Sequence, residues 1–287
     1  MKFHFLFHRN FVLTLSGLII SSCGSRPSES TLDFFTGAGP LRGHEDITRF
    51  AVDDANHALG YDYFPKISAV SAGASTHNPL LKGNFESDYP SPKLRAFYSA
   101  PADVNWHNEG NLQAIHGLRG RIDGIDETVR EACQSHTKVL KNAALKGFNL
   151  ILTGDKDEGL YWIGHATHII QDAFSSAHET RTGENGIIIL DYCTYGHRRE
   201  NACFHRDIDG RDRIWDEGFR CQFDPNSRQR ECLTKEANWA VNASSSFLQR
   251  IARARTLEDL NVSLQKYLEI AEDIGSGAFD CQDLPPA

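Results

Sequence analysis

The sequence predicts an all-α protein, a single helical-bundle domain with long loops. Three observations support this. Apolar residues recur at helical spacing in five segments, 44–59, 126–152, 159–173, 233–254 and 257–274. Only one short run, 187–190, is β-like. Gly, Pro and Asn turn signals gather between the helical segments rather than at strand-like intervals.

The first helix starts near His44, because Ile47, Phe50, Ala51, Ala55 and Leu59 fall on one face and Gly60 stops the run. Residues 61–125 are turn-rich and predict irregular structure with short helices. Val129, Ala132, Cys133, Val139, Leu140, Ala143, Ala144 and Leu150 mark a strongly amphipathic helix over 126–152. Asp155 to Gly159 is expected to turn the chain into the most apolar helix, 159–173. Residues 179–232 are polar, Arg-rich and Cys-bearing, and two helices over 233–254 and 257–274 close the domain. No internal repeat and no linker interrupts residues 43–287.

The composition is that of a folded protein: 287 residues, 40% hydrophobic and 24% charged, which excludes disorder and collagen-like repeats. Lys plus Arg total 30 against 38 Asp plus Glu, so no basic excess points to nucleic-acid backbone binding. Lys2 and Arg9 precede a short apolar run from Phe11 to Ile20, the pattern of a secretory signal and too short for a bilayer span. Ile20-Ser21-Ser22-Cys23-Gly24 resembles a bacterial lipoprotein signal, with Cys23 as the acylated first residue. The domain plan is therefore a signal over 1–22, a Ser/Gly/Pro-rich tether over 23–42 and one domain over 43–287. Residues 1–22 carry two cations and no carboxylate, so their removal takes the formal charge from −8 to −10.

Export also suits the cysteines. Setting Cys23 aside leaves six, Cys133, Cys193, Cys203, Cys221, Cys232 and Cys281, enough for three bridges in an oxidising compartment. Cys193–Cys203, Cys221–Cys232 and Cys133–Cys281 form one plausible pairing of the fifteen allowed. No C-x-x-C supports a thiolate metal site.

The chemistry-bearing signal is the spacing of His and Asp. His168-Ile-Ile-Gln-Asp172 sets an imidazole and a carboxylate one helical turn apart on the same face. His178 follows six residues later, and His205-Arg-Asp-Ile-Asp209 repeats the four-residue spacing. One such pair alone is more often a solvated surface pair. The set points to metal ligation, since a buried carboxylate beside imidazole is costly unless a cation or hydrogen bonds stabilise it. Imidazole and carboxylate without thiolate suit Zn²⁺ first, with Mn²⁺ or Ni²⁺ as other occupants.

With these residues the chain resembles the zinc-dependent phospholipase C family and its relatives, the single-strand-specific zinc nucleases. Both families build a trinuclear zinc centre in a helical bundle. Its ligands are a His near the mature N-terminus, a loop Asp, a His, then H-x-x-x-D-x(5)-H and a final H-x-x-x-E or H-x-x-x-D. His168, Asp172 and His178 match the middle element in both spacings, and His205 with Asp209 offers the last. His44, in Gly43-His44-Glu45-Asp46-Ile47-Thr48, resembles the first His. Asp88, in Gly83-Asn84-Phe85-Glu86-Ser87-Asp88-Tyr89-Pro90, resembles the loop Asp and is chosen over Asp103. His116, 52 residues before His168, fits the remaining His better than His107. Two departures stand out. The families begin with a Trp whose amino group and carbonyl bind one zinc, whereas no Trp precedes His44, so two ions or three remain open. The interval between His178 and His205 is long and holds His197 as another choice for His205. His165 shares the ligand face but has no counterpart in the pattern, and is expected to pack or to support a ligand.

The resemblance implies an internal multinuclear zinc site of two or three ions, with His44, Asp88, His116, His168, Asp172, His178, His205 and Asp209 as ligands. It further implies in-line hydrolysis of a phosphate ester, with Asp88 orienting or deprotonating the attacking water. A phospholipase C acting on a phospholipid head-group phosphate is the favoured expectation, because the loop around Asp88 and the His44 helix read closer to it and a lipid-anchored exported protein meets membranes. A single-strand-specific nuclease, with single-stranded nucleic acid as partner, is the alternative. Phe85, Tyr89 and Trp106 suit either substrate, whereas Trp162 and Phe174 read as core. A non-enzymatic metal-binding surface lipoprotein is a third possibility, though it would have no need of Asp88. The sequence leaves head-group preference and oligomeric state open.

Overall fold

The computed structural model describes residues 43–68, 77–102, 106, 110–183, 186, 188–195 and 230–269. The expected signal and tether over 1–42 lie outside these residues, as do Asp103, His107, His197, His205 and Asp209. The chain is mostly helical, with seven α-helices and four short strands among the described residues. None of these helices is long and apolar enough to cross a membrane.

Helix α1, Gly43–Leu59, carries Glu45 and Asp46 in its first turn, where carboxylates complement the helix dipole. It ends at Gly60, whose φ of +78° lets the chain leave the helix without a Cβ clash. The Asn56 side chain then ties down the next turn, donating to the Phe64 carbonyl (2.9 Å) and accepting from the Tyr63 and Phe64 amides (both 3.1 Å). Helix α2, Pro79–Glu86, is capped by Asn78, which accepts from the Leu80 and Leu81 amides, and Pro at the first position costs no hydrogen bond. Helix α3, Pro92–Phe97, starts with the same Pro device.

A 3-10 helix over Gly110–His116 leads into a hairpin of β1, Arg121–Ile122, and β2, Ile125–Asp126. This hairpin was not expected. Its signal is Asp123-Gly124, both at positive φ (52° and 81°), the pair that a two-residue hairpin turn selects. Helix α4, Val129–Leu152, begins with a full capping box between Thr128 and Glu131. Helix α5, Lys156–Asp172, starts three residues before the expected Gly159. Asp155 is its N-cap, accepting from the Glu158 amide at 3.3 Å, so the residues read as a turn are the first turn of the helix. Strand β3, Glu179–Thr182, pairs antiparallel with β4, Ile188–Tyr192, setting Glu179 opposite Tyr192. The sequence shows only the second of these, because Glu-Thr-Arg-Thr lacks apolar alternation. Helices α6, Lys235–Arg253, and α7, Leu257–Glu269, follow, and 270–274 of the expected last helix lie outside the described residues.

Cys133, Cys193 and Cys232 are disulfide-bonded. Each expected pairing has its second member, Cys281, Cys203 or Cys221, outside the described residues.

Helix α5 is the centre of the packing. Every residue from Gly159 to Asp172 is buried, and α2, α4 and α6 pack on it, with α1 crossing nearby. Trp162 is fully buried and Phe174 is 3% exposed, so both belong to the core as expected. The contact with α2 is unusually close. A Cβ at Gly164 would lie 1.9 Å from the Leu80 carbonyl oxygen, and one at Gly83 would lie 1.7 Å from that of Tyr161. Two glycines thus bring the backbones together, which sets the position of the loop that follows α2. We expect Gly164→Ala to force the helices apart and to cost about 1–3 kcal/mol or more, the usual size of an overpacking penalty. Urea unfolding measures it, and an unchanged midpoint would contradict the close approach.

Candidate metal centre

Five separate pieces of chain deliver buried polar side chains to one place. His44 comes from the first turn of α1, and His168 and Asp172 from the last turns of α5, four residues apart on one face. Asp88 lies just beyond the end of α2, His116 closes the 3-10 helix, and His178 immediately precedes β3. All six are at most 9% exposed.

Asp172 is the hub. Its Oδ1 lies 3.1 Å from His44 Nε2, and its Oδ2 lies 3.0 Å from both His116 Nδ1 and His168 Nε2 and 3.8 Å from His178 Nδ1. Asp88 Oδ1 approaches His168 Nε2 at 3.4 Å and His116 Nδ1 at 3.8 Å. The His44 and His168 rings tilt against each other at 4.1 Å between centroids. Two groups of three can each offer donors lying within 4.8 Å of one another: His44, Asp88 and His168, and His116, His168 and Asp172.

This arrangement fits a cation. Donors around a tetrahedral ion with bonds of about 2.0–2.1 Å sit about 3.3–3.4 Å apart, and the separations here run from 3.0 to 3.8 Å. His168 is fully buried, and its Nε2 faces Asp172 Oδ2 and Asp88 Oδ1 at 3.0 and 3.4 Å, the nitrogen a shared cation would take. His178 Nδ1 donates to the His116 backbone carbonyl, leaving its Nε2 to carry the lone pair, the usual state of a metal-bound imidazole. The donor set consists of imidazoles and carboxylates without thiolate, which suits a divalent metal ion.

The electrostatics follow from burial and crowding. Burial raises the Asp172 carboxyl, but His168, His178 and His44 outweigh it and hold Asp172 well below the carboxylate range. Burial also raises Asp88, and His168, His44 and His116 together bring it below its ordinary value. His168 is disfavoured as a cation by burial, yet the Asp172 and Asp88 charges push it up to about 9.

His165 is fully buried and holds up the Asp88 loop. Tyr98 OH lies 2.7 Å from its Nε2 and Ser87 Oγ 2.6 Å from its Nδ1, while the Ser87 hydroxyl donates to the Gly83 carbonyl at 3.0 Å. Trp106 Nε1 donates to the Ser87 carbonyl at 2.6 Å. The expectation that His165 supports the site rather than lining it agrees with these contacts. Sequence reasoning missed Thr48, Asn84 and Gln171, which form a fully buried amide and hydroxyl cluster behind His44. A signal existed for Gln171, a lone amide three residues after His168 in an otherwise apolar helix. Of the expected ligands, His205 and Asp209 lie outside the described residues.

Comparison of the chain with protein-family models, curated proteins and solved structures yields no match.

The shifts fix a pH dependence for metal-free protein. A raised His168 contributes stability that is complete below its ordinary value of 6.5 and is lost as the pH climbs through about 9. Depressed Asp88 and Asp172 contribute above the ordinary carboxylate value of 3.8, and their share is lost as the pH falls through their lowered values. Chelator-treated protein should therefore become less stable from about neutrality to pH 9, while zinc affinity rises over the same range as metal replaces protons. Urea titrations that stay level across that range would contradict the His168 pairing.

Proposed function

We propose that this protein is an exported zinc-dependent phosphodiesterase of the phospholipase C type, hydrolysing the head-group phosphate ester of a phospholipid. The observation that carries the reading is the convergence of His44, Asp88, His116, His168, Asp172 and His178 from five pieces of chain, the first five forming two groups of three whose donors lie within 4.8 Å of one another. The H-x-x-x-D-x(5)-H resemblance supports zinc and phosphate-ester chemistry for that arrangement. The signal-like segment 1–22 and Cys23 support export and a lipid anchor in a bacterial envelope.

His44, His116, His168, Asp172 and His178 would hold the metal, with His205 and Asp209 completing the set. Bound zinc would supply Lewis acidity, favouring a deprotonated water at neutral pH and offsetting charge on the phosphate. Burial raises Asp88, but in the metal-free site the neighbouring imidazoles outweigh it and hold the carboxyl below its ordinary value. Its carboxylate can therefore accept a hydrogen bond from the attacking water, align it, and receive its proton. Burial of His44, His168 and Asp172 excludes bulk water from the side of the site formed by α1 and α5. Beside Asp88 the Tyr89 and Phe85 rings stack at 5.0 Å, and Tyr89 is 46% exposed, which provides an aromatic surface for the substrate.

Two substitutions separate metal holding from turnover. Asp172→Ala should cost zinc and activity together, whereas Asp88→Asn should keep most of the zinc and lose about 10²-fold or more in kcat. The assays are zinc content by elemental analysis and hydrolysis of phosphatidylcholine and of single-stranded DNA. Fewer than one zinc per chain, or an Asp88→Asn variant with near-wild-type turnover, would overturn the reading. Cleavage of the DNA alone would replace the phospholipase with the nuclease.

A further inference from the structure

We propose that Gln171 is a positioning residue that fixes the tautomer of His44, so that the ring presents Nε2 to the metal site. This rests on the metal-centre reading above and adds a residue that the ligand pattern does not contain.

The geometry decides the direction of each hydrogen bond. Gln171 Nε2 donates to Thr48 Oγ1 at 2.8 Å, and Asn84 Nδ2 donates to Gln171 Oε1 at 3.1 Å. Asn84 Nδ2 also reaches Thr48 Oγ1 at 3.2 Å. The Asn84 amide sets this orientation: turned over, Gln171 would place its NH2 against the Asn84 NH2, which reaches both Gln171 and Thr48. With Oε1 so fixed, the remaining contact, His44 Nδ1 at 2.8 Å, must be a donor to it. The Nδ1 position of His44 is thereby protonated and Nε2 carries the lone pair. That Nε2 lies 3.1 Å from Asp172 Oδ1, an acceptor facing an acceptor, which is stable only with a cation or a proton between them.

The chain places these groups economically. Gln171 and Asp172 are consecutive at the end of α5, so one helix turn supplies both the group that orients His44 and the carboxylate that shares its ligand nitrogen. Thr48 stands one turn after His44 on α1, and Asn84 belongs to α2. Gln171, Thr48 and Asn84 are fully buried, so water does not compete for the amide. An amide acceptor orients the imidazole without adding a third negative charge beside Asp88 and Asp172.

The experiment uses the zinc-loaded and metal-free wild-type protein, labelled with ¹⁵N-histidine, alongside Gln171→Leu, Gln171→Glu and Thr48→Val. In wild type the His44 Nδ1 proton should be observed, with zinc binding perturbing Nε2. Gln171→Leu should weaken zinc binding about 10- to 100-fold, the usual cost of removing the partner of a ligating histidine. Gln171→Glu retains an acceptor and should keep the Nδ1 proton, with a smaller loss of zinc binding than Gln171→Leu. Should the Leu variant fail to fold, Thr48→Val decides, because freeing the amide should populate the Nε2-protonated ring. A wild-type His44 without a proton on Nδ1, or a folded Leu variant that binds zinc like wild type, would overturn the role of Gln171. A wild-type protein that binds no zinc would instead sink the metal reading, and the Nδ1 signal would still report on Gln171.

Discussion

A single buried carboxylate, Asp172, faces four imidazoles, and the rest of the architecture is arranged around the need to keep that group solvated by something other than water. A carboxylate at 1% exposure is costly unless positive charge or hydrogen bonds surround it. Here His44, His116, His168 and His178 come from four different pieces of chain to do so. Each of those segments contributes to compensating the buried charge of Asp172, so fold and site are stabilised together. A cation bound among these groups would be linked to folding in the same way, since the donors exist as a set only in the native chain.

The close contact between α2 and α5 follows from the same requirement. Asp88 reaches His168 only because Gly83 and Gly164 let the two helix backbones meet, and His165 then braces the loop through Ser87 and Tyr98. Small residues serve helix packing, and that packing sets the Asp88–His168 separation. The second carboxylate arrives on a loop and its neighbours on helices.

Much of this was legible in the sequence, for identifiable reasons. Helical periodicity located α4 and α6, which bury one broad face, and α1, while the apolar composition of 159–173 located α5, which is buried all round. The start of α5 was misplaced because Asp155 reads as a turn residue and is in fact a cap. The hairpin at Asp123-Gly124 and strand β3 were missed, the first because its strands are two residues long and the second because its side chains are polar. Spacing singled out His168, Asp172 and His178, since helix geometry converts a four-residue interval into a shared face. His44, Asp88 and His116 were chosen by resemblance and order, and the structure brings all three to Asp172 or His168. Gln171 alone left a trace in the sequence; its association with Thr48 and Asn84 was not legible, because the three are 36 to 123 residues apart and carry no charge pattern.

The claim on which all of this depends is that the histidines and aspartates around Asp172 hold metal. Anomalous diffraction from crystals of the protein purified with zinc, recorded on either side of the zinc absorption edge, tests it directly. We expect at least one strong peak about 2.0–2.2 Å from Asp172 Oδ2, His116 Nδ1 and His168 Nε2. A well-ordered cluster with no anomalous density among those atoms would contradict it.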